Sequence, residues 1–490
     1  MRTILAAASI LLALVPSARA ADVEAFSKHF EDATLRIDYH HYGDAKTEAA
    51  ALDVVYKQGT WAGSRTRLVD PFEVGRSVVE VREPGSGVLL YSRRFDTYFG
   101  EYRTTDPAAK GVVRSYHESA LVPYPKAKVK VLVKTRGRDG TEATILDTDV
   151  DPGAVTINRE PLSAGVTVIP VHKGGEPHAC VDVAILAEGY TEGDRAKLES
   201  DLRRFSALLV GQEPFASAKD RFNVSGVWVP SQDRGCDEPS RGSWRATAFG
   251  AGFDALGSER YLLTEANKAL RDAAAHVPYD ALYVMVNTAR YGGGGIYNLF
   301  CTFTSDNQWS PYVFLHEFGH SFAGLADEYY TSSVAYTEFF PKGVEPHEPN
   351  VTALLDPKAL KWADLVSPGT ALPTPWEKPG YDDRDRAYQK VRETVNANIA
   401  KAMRGGAPKE DVDKLKEESE RLSTEHAKLM DGYLAASAFR DKVGAFEGAG
   451  YTAEGLYRPA LDCIMFSKGQ KPFCPVCERA LKRVIERFGE

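Results

Sequence analysis

Two histidines four residues apart, His316 and His320, with Glu317 directly after the first, are the residues of this 490-residue chain whose types and spacing suit hydrolytic chemistry. On an α-helix, side chains four apart share a face. Both imidazoles can therefore reach one tetrahedral metal ion while Glu317 sits beside the coordination position they leave open. That is what the pattern H-E-x-x-H encodes: two neutral nitrogen ligands for zinc and a carboxylate placed to take a proton from water. Val313, Phe314, Leu315, Phe318 and Phe322 make the stretch an apolar, mostly buried helix, and buried imidazoles need partners for their nitrogens. A pair of hydrogen-bonded core histidines with a surface glutamate is the plain alternative.

Zinc of the catalytic kind takes three protein ligands and keeps a fourth position for water. Gly324 is placed to break the helix, and Asp327 follows three residues later with Glu328 next to it. In the metzincin pattern a glycine turns the chain and the third ligand lies three positions beyond. Here the glycine comes one residue late but its step to Asp327 is kept, which favours Asp327 over Glu328. The same pattern gives Met465, within Asp462-Cys463-Ile464-Met465-Phe466, the place of a methionine turn beneath the metal; taken alone it would be ordinary core filling. The expectation is one Zn2+ per chain on His316, His320 and Asp327, with Glu317 as general base in peptide hydrolysis. Tyr329 and Tyr330 are candidates for oxyanion stabilisation, with packing the plainer role for both.

The run HEFGHSFAGLADEYY at 316–330, with YGGGGIYN at 291–298, GAFEGAGY at 444–451, and DCIMF and FCPVC near the C-terminus, resembles the bacterial IgA peptidase family of metzincin-like zinc metallopeptidases. The resemblance runs over the full length and includes a family-type N-terminal β domain. It implies His316 and His320 as ligands, Glu317 as base and Asp327 as third ligand. The charged block 384–435 departs from the family pattern as an insertion ahead of GAFEGAGY, so substrate specificity does not carry over. The rival is a secreted binding or adhesion protein whose zinc is structural, closed by a fourth ligand such as Glu328 or His347. Glu317 beside the open position speaks for the enzyme.

The elements that must position these residues read as an α+β, multidomain chain: an N-terminal β-sandwich followed by a metzincin-like zincin catalytic domain with a helical hairpin insertion. Residues 1–20 have the charge, apolar run and small-residue ending of a cleaved signal peptide, so the protein is expected to be secreted or periplasmic. Residues 21–165 alternate apolar and polar side chains between Gly, Pro and Asp turns, which predicts the sandwich. Residues 166–490, where strands alternate with helices, form the catalytic domain. Within it the block 384–435 repeats apolar residues at helical spacing about Gly405, Gly406 and Pro408, a hairpin whose plain role is packing. The four glycines 292–295 read equally as a substrate-binding edge or a flexible turn, and they lack the Lys of a phosphate loop.

A hydrophobic fraction of 43% and a charged fraction of 26% are those of a globular protein, and a formal charge of -8 without a basic, aromatic-rich patch argues against nucleic acid. No second apolar stretch approaches a membrane span in the mature chain. The expected partner is a protein or glycoprotein substrate, immunoglobulin-like proteins included. Six cysteines leave their pairing open. Cys474 and Cys477 form a CxxC with only Cys463 nearby, which reads as a local disulfide staple in preference to a metal or redox site.

Overall fold

The computed structural model describes residues 25–137, 139–331 and 339–488, and the segment 1–20 expected to be a signal peptide lies outside them. Residues 30–150 form a β-sandwich. One sheet orders β2 (Glu48–Gln58), β1 (Phe30–Gly43) and β5 (Arg114–Pro125); the other orders β4 (Leu89–Phe95), β3 (Ser77–Arg82), β6 (Val129–Arg136) and β7 (Glu142–Val150), and every pair is antiparallel. Alternation puts Leu35, Ile37 and Tyr39 of β1 and Val129, Val131 and Val133 of β6 into one core between the sheets.

A third sheet, mixed, begins at β8 (Thr167–Lys173). Its order is β12 (Gly293–Ile296), β13 (Phe300–Thr304), β11 (Ala281–Val286), β9 (Val181–Glu188), β10 (Phe222–Trp228) and β8, parallel in the middle with an antiparallel strand at each edge. Central β9 is buried along its whole length, because helices cover both faces. Leu198, Leu202 and Phe205 of α1 (Arg195–Gly211) pack with Val183 and Ile185, while Leu270 and Ala274 of α2 (Asn267–Ala274) pack with Ala184 and Leu186. The fold is thus mixed α/β with a β-rich N-terminal domain.

Helix α3 (Ser310–Ala323) lies on the same face as α1, with Tyr283 of β11 stacked on Phe314 and Phe318 at ring separations of 4.6 and 5.2 Å. Two long helices follow, α4 (Lys378–Arg404) and α5 (Lys409–Ala435). Helix α4 starts ahead of the charge-rich block at 384, because Pro379 is tolerated in a first helical turn and Tyr381 anchors that turn in the core. Met430 and Leu434 of α5 belong to the same core as α3, so the base of the hairpin is part of that packing unit. The chain closes with the hairpin β14 (Val443–Ala449) and β15 (Thr452–Ala460) and helix α6 (Pro475–Phe488), whose Phe488 stacks on Phe322.

The sandwich is docked by polar contacts as well as packing. Arg36 binds Asp38 and reaches across to Asp272 of α2 at 2.6 Å, and Arg93 donates to Asn298 at 2.9 Å. Asn298 in turn donates its side-chain amide to the Arg94 carbonyl and its backbone amide to Ser321 of α3.

Candidate active site

Pro311 sits in the first turn of α3, where a missing amide proton does no harm, and Gly324 ends the helix in a left-handed conformation with φ 60°. The amide of Gly324 donates to the His320 carbonyl, the bond of a left-handed αL cap, and that of Leu325 to the Gly319 carbonyl, so the last turn is satisfied. The chain then reverses into an extended segment. Asn350 brackets Ala326 with two hydrogen bonds, Glu328 donates its amide to the Met465 carbonyl, and the turn between β14 and β15 pairs with it through Gly450 N to Asp327 O and Tyr451 N to Tyr329 O.

This path brings Asp327 back over the histidines. Its Oδ1 lies 3.0 Å from His316 Nε2 and 3.2 Å from His320 Nε2, and the two Nε2 atoms are 3.2 Å apart. Each Nδ1 faces a backbone carbonyl, Ile464 for His316 at 3.0 Å and Leu325 for His320 at 2.5 Å. A carbonyl only accepts, so each Nδ1 carries the ring proton and each Nε2 presents a lone pair to the other. Two facing lone pairs and a buried carboxylate oxygen without a hydrogen-bond donor repel unless a cation sits among them. A tetrahedral zinc ion about 2.0–2.1 Å from its ligands separates them by about 3.3 Å, close to the triangle found here, so the donor set fits. His316, Glu317 and His320 also each offer an atom within 4.8 Å of the others, which puts the Glu317 carboxylate at the margin of the same centre.

Residues 169–485 match the family described as IgA Peptidase M64, and residues 25–146 match its N-terminal domain, Peptidase M64 N-terminus. The chain belongs to the IgA peptidase M64 family. Membership makes it a metallopeptidase, acting on protein substrates with a metal ion that the cluster above can hold. No curated protein matches the chain. No helix among the described residues is long and apolar enough to cross a membrane.

In this M64 peptidase the glycine run is the edge strand of the mixed sheet and not a flexible turn. Gly293, Gly294 and Gly295 form strand β12, paired to β13 on one side, with the Leu262 amide bound to the Gly293 carbonyl on the other. A Cβ at Gly295 would stand 2.6 Å from the Glu317 carbonyl oxygen and 2.9 Å from His320 Cβ, and one at Gly293 would stand 3.0 Å from Glu317 Oε1. The glycines let the strand lie directly against the motif helix.

The field of the site favours positive charge at its centre. Burial would push Asp327 up, but the two imidazoles outweigh it and hold its carboxyl well below the usual carboxylate range. Burial would lower His320, yet Asp327 and Glu317 raise it to about 9, so without a metal a proton on His320 supplies the positive charge that the facing donors call for. Burial raises Glu317, against the pull of His316 and His320.

Further residues surround the metal-binding triangle. Tyr451 donates its hydroxyl to Asp327 Oδ2 at 2.6 Å from a left-handed turn position with φ 64°, a conformation unusual for a tyrosine. Arg260 donates to the Tyr329 hydroxyl at 2.8 Å, and both line the cleft. Met465 lies beneath α3, where a Cβ at Gly319 would come 2.9 Å from its Sδ. Tyr330 is turned away, donating to Asp382 at 2.6 Å. Neither residue proposed to close a structural zinc site stands at the histidines: the Glu328 carboxylate faces three cysteines, and His347 Nδ1 meets Arg136 at 2.6 Å. The left-handed turn and Glu328's opposite heading depend on contacts between distant segments, so only the GAFEGAGY string pointed toward Tyr451.

Proposed function

We propose that the chain is an exported zinc endopeptidase that cleaves extracellular proteins, immunoglobulin-like or glycosylated ones among them, with one catalytic zinc on His316, His320 and Asp327. The observation that carries this reading is the near-equilateral triangle of two Nε2 atoms and Asp327 Oδ1, each Nδ1 fixed on a carbonyl, with Glu317 at its margin. Such a metal, when bound, supplies Lewis acidity that polarises a scissile carbonyl and brings water toward a nucleophile at neutral pH. Glu317 takes the proton from the attacking water and hands it to the leaving amine, a double role that suits a carboxyl raised by burial. Tyr451 holds the Asp327 carboxylate in place, and the Ile464 and Leu325 carbonyls hold the imidazoles. Arg260, beside Tyr329 in the cleft, is the cation placed to offset charge developing on the carbonyl oxygen.

The metzincin-like reading rests on Met465 under the motif helix and on the late glycine that leads to Asp327. A polypeptide substrate suits the cleft, which continues past Ser258, Arg260 and Tyr291 into a groove walled by the hairpin residues Arg392 and Glu420. Export rests on the residue pattern of 1–20 alone.

The test is Glu317→Gln, assayed beside wild type on a proteome-derived peptide library read by mass spectrometry. Zinc content and melting temperature should stay at wild-type values while hydrolysis falls about 100-fold or more, the scale of a lost general base. Wild-type cleavage by the variant, with contaminating protease excluded by a chelator control, removes the mechanism. A wild-type protein that holds zinc and cleaves nothing in the library returns the structural-zinc reading.

A further inference from the structure

A second cluster of metal-binding side chains stands behind the first. Cys463, Cys474, Cys477 and Glu328 each offer a ligand atom within 4.8 Å of the others, and all four are buried. The three sulfurs are free thiols. Cys463 Sγ and Cys477 Sγ are 3.9 Å apart, almost twice a disulfide bond but close to the separation of about 3.8 Å that two thiolates have on one tetrahedral zinc. Cys477 Sγ lies 3.2 Å from Glu328 Oε1, near the roughly 3.5 Å expected for a sulfur and an oxygen on the same ion.

The surroundings are those of a ligand shell. The Cys474 amide donates to Cys463 Sγ at 3.3 Å, and Asn350 Nδ2 donates to Glu328 Oε1 at 3.0 Å, fixing the carboxylate among the sulfurs. Glu328 Oε2 is fully buried and has no hydrogen-bond partner among the described residues. A buried carboxylate with an unmet oxygen beside three thiols is an expensive arrangement without a cation. Cys474-Pro-Val-Cys477 opens helix α6, so two of the sulfurs lie at the positive end of a helix dipole.

We propose that Cys463, Cys474, Cys477 and Glu328 form a closed, structural zinc site separate from the catalytic one. Adjacent residues in an extended segment point to opposite sides, so Asp327 faces the histidines and Glu328 faces the cysteines. The second ion ties that segment to the turn at 463–466, whose Ile464 carbonyl orients His316 and whose Met465 carbonyl binds the Glu328 amide. It therefore braces the floor of the catalytic centre without touching substrate.

The experiment measures zinc per chain in wild type and in the double variant His316→Ala/His320→Ala, prepared as full-length mature protein. Wild type should hold about two zinc ions and the double variant about one. Cobalt(II) substituted into the double variant should give the near-ultraviolet sulfur-to-cobalt charge-transfer absorption that only thiolate ligands produce. Unreduced protein, denatured with chelator and alkylated, should carry a label on Cys463, Cys474 and Cys477. Glu328→Gln, which keeps all three thiols, should release the second zinc at least tenfold more readily in chelator competition. A disulfide among the three cysteines, a double variant without zinc, or a cobalt spectrum without the thiolate band would overturn the proposal, each of them independently of whether the histidine centre cleaves peptides.

Discussion

Removing one hydroxyl, with Tyr451→Phe, tests the coupling between the left-handed turn and the metal centre. The phenol donates to Asp327 Oδ2 at 2.6 Å, the oxygen opposite the one that faces the histidines. A hydrogen bond to a charged group contributes about 1.5–3 kcal/mol, and each 1.4 kcal/mol is a factor of ten, so zinc affinity should fall about 10- to 100-fold. Outer partners of metal ligands lose affinity over the same range when removed. The substitution is clean because the ring keeps its edge contact with Tyr329 at 5.6 Å and the backbone stays in its turn, so the melting temperature of the metal-free protein should move little. The assay is competition for zinc against a chromogenic chelator, followed by peptide hydrolysis at saturating zinc. Most of the lost activity should return when zinc is in excess. An affinity within twofold of wild type would show that Asp327 is held by its backbone contacts alone, and the argument from the hydroxyl would fail.

Three further outcomes follow from the same geometry. Gly295→Ala puts a methyl 2.6 Å from the Glu317 carbonyl oxygen, so it should destabilise the protein by about 1–3 kcal/mol and depress activity; an unchanged melting temperature and rate would show that β12 can move off α3. Burial would lower His41, but Glu118 and Glu48 outweigh it and raise it to about 9, so its contribution is full below about pH 6.5 and is lost as pH rises through 9. The stability gap between wild type and His41→Gln should therefore shrink by on the order of 3 kcal/mol between pH 6 and pH 10 in denaturant titrations, and a gap independent of pH would contradict it. Deleting 393–419 behind a short Gly/Ser linker should leave the melting temperature near wild type, whereas deleting 384–435 removes Met430 and Leu434 from the core and should cost several kcal/mol; equal stability of the two deletions would place the hairpin base outside the core.

The parts of this molecule that a linear reading reaches are those set by local periodicity. Four-residue spacing places His316 and His320 on one helical face, Gly324 supplies the left-handed stop, and the alternation of Val129, Val131 and Val133 requires a sheet with one buried face. What the spacing left open was decided by contacts between distant segments. Glycines 292–295 allow a loop or an edge equally, and the approach of Glu317 and His320 decides for an edge strand over Gly293–Ile296. The staple expected at Cys463, Cys474 and Cys477 gave way to three free thiols gathered around Glu328, which lies more than a hundred residues upstream, where local spacing cannot show it. Charge along 384–435 suggested a separate element, yet Tyr381, Met430 and Leu434 fasten it to the core, because composition reports the exposed face of a helix more loudly than its few anchors.

The order in which the chain is made gives the placement of Tyr451 and of the 464–465 carbonyls a consequence for the producing cell. Ribosomes deliver the H-E-x-x-H helix well before these floor residues, and a nascent polypeptide that has reached only Asp327 has neither the hydroxyl that fixes that carboxylate nor the Ile464 carbonyl that sets the His316 tautomer. On the proposed assignment, the set of groups that holds the metal ligands is complete only at the last stage of synthesis. An unfinished or prematurely terminated product then carries the H-E-x-x-H pattern without the distant groups that fix its ligands, a dependence written into chain topology.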